Sequence, residues 1–173
     1  VGYRGTGKST VGRLVADRLG WEFADTDAVI EHQTGCSIAS LFAERGEPAF
    51  RDLEARVLGE LTQRPSLVLA TGGGVVLRDS NRERLVRFGF VVWLRAEPQV
   101  LAVRLRDQAE TRPALTAAGT LGEIADVLAQ RTPWYQEVAD RTVHTDQQHP
   151  AAVAETVLTA FRAWCRGESG PSC

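Results

Sequence analysis

Apolar residues recur at helical spacing directly after a glycine-rich opening. Val11, Leu14, Val15 and Leu19 share one face of the segment Lys8–Leu19, and Gly20 follows where a C-terminal cap is expected. The spacing predicts a helix of about three turns. Residues 21–24 are a short apolar run, read as a strand, that ends in Asp25-Thr26-Asp27. Helical patterns then cover 29–33 and the stretch from Ser37 through Ile38, Leu41 and Phe42, which Gly46 ends. A longer one runs from Phe50 through Leu53 and Val57 to Leu61. Leu67–Ala70 is continuously apolar, as in a strand buried on both faces, and breaks into Thr71-Gly72-Gly73-Gly74. A helix over 78–88 leads to a second buried strand at 90–94, and Pro98 opens a helix to about residue 107. Helix 121–139, strand Arg141–His144 and helix 151–165 complete the pattern. Strands alternating with helices predict an α/β fold with a mainly parallel sheet covered on both sides. The Ala/Gly/Thr-rich polar stretch 108–120, with Arg112-Pro113, reads as a mobile excursion.

Composition narrows the function classes. A chain of 173 residues suits one domain, placed at 1–166, with 167–173 as a flexible tail. The net charge of −2 offers no basic face for nucleic acid. No run approaches the roughly 20 apolar residues of a membrane span, and no signal peptide is recognisable, so a cytoplasmic protein without membrane partners is expected. Cys36, Cys165 and Cys173 have unrelated spacings and read as reduced thiols. There are 19 Arg but one Lys, Lys8, which points to a need for a compact ammonium at that position. The chain has no Met. Val1 therefore either follows an upstream segment or marks an alternative start codon.

The candidate chemistry begins at Gly2-Tyr-Arg-Gly-Thr-Gly7-Lys8-Ser9, which fits the Walker A pattern G-x-x-x-x-G-K-[ST]. Such a loop turns backbone N–H groups onto phosphates, sends its Lys to the β- and γ-oxygens and offers its hydroxyl to Mg²⁺. The following helix points its positive dipole end at the same anion. A P-loop normally follows a buried strand, yet only Val1 precedes Gly2. Asp25 and Asp27, at the end of the next strand, are expected at the carboxyl edge of the sheet beside the phosphates. One can hold Mg²⁺ through water while the other accepts a hydroxyl proton. A D-x-D after a short strand is more often a helix cap, but the Walker A loop tips the balance toward chemistry. Gly72, Gly73 and Gly74 end a core strand where a substrate could lie flat against bare backbone. Arg51 and Arg131 are, on their own, indistinguishable from surface arginines.

Together these segments resemble the shikimate kinase family over almost the whole chain. The matching elements are G-x-x-G-x-G-K-S-T-x-G at the start, D-T-D at 25–27, S-I-x-x-L-F-x-x-x-G-E-x-x-F-R-x-x-E over 37–54, T-G-G-G at 71–74, Arg112-Pro113, and Arg131-Thr-Pro-Trp-Tyr135. The middle run separates this family from gluconate and adenylate kinases, which share only the P-loop. The resemblance implies a P-loop NTPase fold of the nucleoside-monophosphate-kinase type. Its central five-stranded, mainly parallel sheet is flanked by helices, with a lid at about 108–120, and the first strand is largely missing from this chain. It implies ATP-dependent phosphorylation of the 3-hydroxyl of shikimate, in aromatic amino-acid biosynthesis, with Mg²⁺ as cofactor.

By that similarity Asp27 contacts the reacting hydroxyl as base, and Lys8 with Arg112 neutralises charge on the moving phosphoryl. Arg51 and Arg131 pair with the substrate carboxylate, and Glu54 orients Arg51. Gly72, Gly73 and Gly74 line the substrate site, with Gly73 N–H as direct donor. Gly5, Thr6, Gly7, Lys8, Ser9 and Thr10 bind the nucleotide with Arg112 and Gln148, while Ser9 and Asp25 serve Mg²⁺. The lid closes to exclude water. The adenine-side segment 146–150 lacks the basic residue that family members often carry, which leaves the base-stacking partner open, with Arg104 or Arg106 on the other side of the ring. His32, His144 and His149 match no required position and read as structural or surface residues. A monomer taking only ATP and shikimate is expected. A kinase for another small hydroxy acid, and a non-catalytic or truncated nucleotide-binding paralogue, remain the alternatives.

Overall fold

The computed structural model describes residues 1–108 and 121–168. The expected lid, with Arg112, and the end of the tail, with Cys173, lie outside the described residues.

Helix α1, Lys8–Leu19, ends at Gly20, whose left-handed φ of 67° lets its N–H reach Ala16 O and Asp17 O. Its buried face, Val11 and Val15, packs on Val153, Ala154, Val157 and Leu158 of α7, Pro150–Cys165. Strand β1, Glu22–Asp25, lies parallel to β2, Leu67–Ala70, with Asp25 opposite Ala70. Strand β3, Val92–Arg95, lies parallel to β4, Arg141–His144. The strand expected at 90–94 thus begins two residues later. Phe90 instead joins an aromatic group with Phe161 and Trp164, at ring distances of 5.9 and 5.6 Å.

The five-stranded sheet expected from the resemblance takes the form of these two parallel pairs plus Val1. The Val1 N-terminus donates to Val92 O at 2.8 Å and Leu94 N–H donates to Val1 O at 3.0 Å, a parallel pairing with β3. Between β2 and β3 lies a cavity of about 710 Å³, whose walls include Val11, Val15, Leu69, Val92, Leu94 and Phe161.

The remaining helices are α2 (Thr26–Thr34), α3 (Ile38–Leu61), α4 (Asp79–Phe88), α5 (Pro98–Gln108) and α6 (Leu121–Val138). Gly46 breaks α3 as the sequence predicts, at φ 75° and ψ 169°, and Pro48 falls in the first turn after the break, where a missing N–H costs little. Beyond the break α3 buries Phe50, Val57 and Leu61 against Ala24, Ile30, Leu41 and Leu67. This packing fixes Arg51 and Glu54 beside the ends of β1 and β2. No helix among the described residues is long and apolar enough to cross a membrane.

Candidate active site

The Walker segment folds as a phosphate-binding loop. Gly5 and Gly7 take left-handed φ values of 83° and 88°, which an L side chain resists. The N-terminus of α1 has no side-chain cap and no acidic residue in its first turn, so its orphan N–H groups remain available to an anion. Lys8 Nζ donates to Tyr3 O at 2.7 Å, and Thr6 Oγ1 donates to the same carbonyl at 2.8 Å. Burial lowers the Lys8 ammonium to about 8, a shift that Asp27 and Asp25 oppose and Arg4 reinforces.

Asp25 caps a helix with one oxygen and reaches the P-loop with the other. Its Oδ1 accepts from Asp27 N–H at 3.0 Å, the N-cap of α2, while its Oδ2 accepts from Ser9 Oγ at 2.5 Å. A hydroxyl and a carboxylate this close form a pair of hard oxygen donors suited to Mg²⁺. Among the described residues no group of three or more His, Cys, Asp or Glu could hold a metal without help. A cation here would rely on phosphate oxygens and water for its other ligands, the usual arrangement for Mg²⁺. Between the two acids Thr26 is fully buried, and its Oγ1 accepts from Gly72 N–H at 2.9 Å. That bond ties the acidic turn to the glycine loop.

Each glycine of the loop has its own steric reason. A Cβ on Gly72 would stand 2.7 Å from Asp27 Oδ1 and 3.0 Å from Glu54 Oε1. On Gly73 it would approach the P-loop, 3.3 Å from Gly2 O and 3.5 Å from Arg4 N. On Gly74 it would overlap the Arg51 guanidinium, 2.6 Å from Cζ. Bare backbone is thus needed for the acids, the P-loop and the arginine to meet around one cleft.

Arg51 is held from two sides. Its Nη1 donates to Glu54 Oε2 at 2.9 Å, as the resemblance implies, and its Nε and Nη2 donate to Glu47 Oε1 at 3.1 and 3.0 Å. The Glu54 side chain is 1% exposed and that of Glu47 is 56% exposed, so only the first bond is sheltered from water. Burial raises the Glu54 carboxyl pKa, with Arg51 pulling the other way. Arg131 approaches from α6, where its Nη1 donates to Gly73 O at 3.1 Å. Tyr135, one turn further on, donates to the same oxygen at 2.5 Å.

On the nucleotide side, α5 lays Leu101 and Leu105 against Gly5. Arg104 Nη1 donates to Gly5 O at 3.3 Å, and its Nη2 donates to Thr145 O and Asp146 O at 2.6 and 3.3 Å. This arginine fastens the P-loop to the loop that carries Gln148. Gln148 itself donates to His144 O at 2.9 Å. His149 has a structural role as N-cap of α7, accepting from Ala151 N–H at 3.3 Å. Thr10 sits exposed in the first turn of α1.

Thr26, Glu47 and Tyr135 fall within the matching motifs, but the sequence assigned a role to none of them. Tyr135 could have been given one, since it follows Arg131 by four residues and so shares its helix face. Thr26 lies inside the D-T-D motif itself. Glu47 stands as a fixed position in the 37–54 run and at i, i+4 spacing to Arg51, but no role was assigned to it.

The comparisons with known proteins agree with one another. A family model described as "Shikimate kinase" matches residues 4–162. A protein of that name from Nitratidesulfovibrio vulgaris is 46% identical over 164 residues, covering 93% of this chain and 94% of the relative. Another, from Symbiobacterium thermophilum, is 42% identical and covers 98% of this chain and 97% of the relative. Among solved structures, shikimate kinase from Acinetobacter baumannii in complex with shikimate superposes with a TM-score of 0.88 at 41% identity, covering 94% of this chain and 90% of that one.

Proposed function

The chain belongs to the shikimate kinase family and phosphorylates shikimate with ATP, and we propose that its own residues divide that reaction as follows. The nucleotide phosphates lie in the loop of Gly5, Thr6, Gly7 and Lys8 at the open N-terminus of α1, with Ser9 and Thr10 in its first turn. The shikimate carboxylate pairs with Arg51 and Arg131, and its ring lies on Gly72, Gly73 and Gly74. Asp27 accepts the proton of the 3-hydroxyl as that oxygen bonds to the γ-phosphorus, and the bond from the γ-phosphorus to the β,γ-bridging oxygen breaks, so that this oxygen leaves on ADP. Ser9 Oγ and Asp25 would hold Mg²⁺, which would supply charge neutralisation for the phosphates. Lys8 offers its ammonium to the same oxygens, and positioning with electrostatic stabilisation does the rest. Arg112, outside the described residues, is assigned to the transferred phosphoryl and Gln148 to the adenine side on the family resemblance alone.

One juxtaposition carries this division of labour. Asp27 lies against Gly72 on the substrate side, and its N–H bonds Asp25, which in turn bonds Ser9 of the P-loop on the nucleotide side. A proton acceptor is thus next to both partners of the transfer. Asp27→Asn keeps the side-chain shape and removes the basicity. Turnover is expected to fall by about 10²–10⁴-fold, with ATP affinity little changed by calorimetry. Turnover equal to wild type would remove Asp27 from the role of base.

A further inference from the structure

Two donors on α6 share a single acceptor, the Gly73 carbonyl: Arg131 Nη1 at 3.1 Å and the Tyr135 hydroxyl at 2.5 Å. The tyrosine is the fixed member of the pair. It is fully buried, and its ring stacks on Trp93 of β3 with centroids 5.6 Å apart and planes at 20°. The arginine side chain is longer and only partly buried. The acceptor matters to the site in two ways. Gly73 O belongs to the same rigid peptide as Gly74 N–H, so the bond that holds the oxygen also helps to fix Gly74, whose Cα faces the Arg51 guanidinium. Gly73 also packs against the P-loop backbone at Gly2 and Arg4.

Were Arg131 the sole partner of this carbonyl, turning it toward a substrate carboxylate would leave a half-buried acceptor unpaired, which is unfavourable. A second donor on the same oxygen removes that conflict. We propose that Tyr135 is a positioning residue for the acceptor substrate: its hydroxyl keeps the Gly73 carbonyl satisfied and the glycine loop in place while Arg131 turns to the shikimate carboxylate. This rests on the assignment of Arg131 to the carboxylate made above. The arginine can then serve the substrate without the loop losing its latch, and loss of the hydroxyl holds the arginine back on Gly73.

The test is steady-state kinetics on the full chain, varying shikimate and ATP separately, for wild type, Tyr135→Phe, Arg131→Ala and the double variant, with thermal melting of each. Phenylalanine preserves the ring and its stacking on Trp93. Tyr135→Phe is expected to raise KM for shikimate by roughly five- to tenfold, to leave KM for ATP within about twofold and to melt cooperatively. With Arg131 already replaced by alanine, Tyr135→Phe should add little to the loss in kcat/KM for shikimate, because no arginine is left to be held back. An unchanged KM for shikimate, an equal loss for both substrates or additive effects in the double variant would overturn the proposal. So would loss of cooperative melting, which would make the hydroxyl a part of the core. A wild-type chain without shikimate-dependent turnover would instead overturn the proposed function, and this inference with it.

Discussion

Replacing Gly74 with alanine dislodges Arg51 without straining the backbone. At φ −96° and ψ 1°, Gly74 occupies a conformation open to alanine, so the outcome is governed by the added methyl alone. That methyl would stand 2.5 Å from Arg51 Nη2 and 2.6 Å from Cζ. The guanidinium has little room to yield. Phe42 and Phe50 lie 5.8 and 5.1 Å from its centre, and the buried Glu54 holds Nη1 at 2.9 Å. The bond to Glu54 is the one that must stretch or break. A hydrogen bond between charged groups contributes about 1.5–3 kcal/mol, and each 1.4 kcal/mol or so is a factor of ten. The KM for shikimate is therefore expected to rise roughly 10- to 100-fold, with KM for ATP nearly unchanged because the P-loop is untouched. Initial rates at saturating ATP measure this directly. A control in the Arg51→Ala background should find Gly74→Ala nearly silent, since the methyl then has nothing to displace. A KM for shikimate within about twofold of wild type in the single variant would refute the steric reasoning.

Gly72→Ala should act differently, because its methyl would meet Asp27 Oδ1 at 2.7 Å and Glu54 Oε1 at 3.0 Å instead of the arginine. Its main effect is expected on kcat, on the order of 100-fold if Asp27 is the base, and a change confined to KM would contradict that. Lys8 makes a pH prediction. Its ammonium is lowered to about 8 in the free chain, and phosphate oxygens favour the charged form, so ATP binding takes up a proton at higher pH. The contribution of Lys8 to affinity is fully present below that pKa and is lost as pH rises through it, by up to about tenfold per pH unit. Calorimetric titration across this range should find the loss in wild type and not in Lys8→Arg, and a pH-independent affinity for wild type would contradict it.

Much of the fold was legible because its signals are local. The helix from Lys8 to Leu19 with its Gly20 cap, the break at Gly46 and the apolar run Leu67–Ala70 each depend on periodicity or on one glycine, and each appears where the pattern placed it. The strand at 90–94 was displaced by tertiary packing: Phe90 is drawn to Phe161 and Trp164, and pairing with β4 starts at Val92. In the site, the P-loop followed from motif spacing, whereas the choice of Asp25 over Asp27 as the partner of Ser9 came from the family resemblance. Gly72, Gly73 and Gly74 were recognisable as bare backbone, but the reason for each was not, because Asp27, the P-loop and Arg51 come from three distant parts of the chain. For the same reason the shared acceptor of Arg131 and Tyr135 was hidden. Its oxygen lies on Gly73, about 60 residues away in sequence, and no periodicity connects a helix face to a distant carbonyl.

The most direct test of the whole account is ADP release by the full chain with Mg²⁺ and ATP, measured without acceptor and with shikimate, quinate or gluconate. Strong stimulation by shikimate and little by the other two is the predicted result. A folded, ATP-binding chain that no acceptor stimulates, or one stimulated by gluconate and not by shikimate, would contradict it.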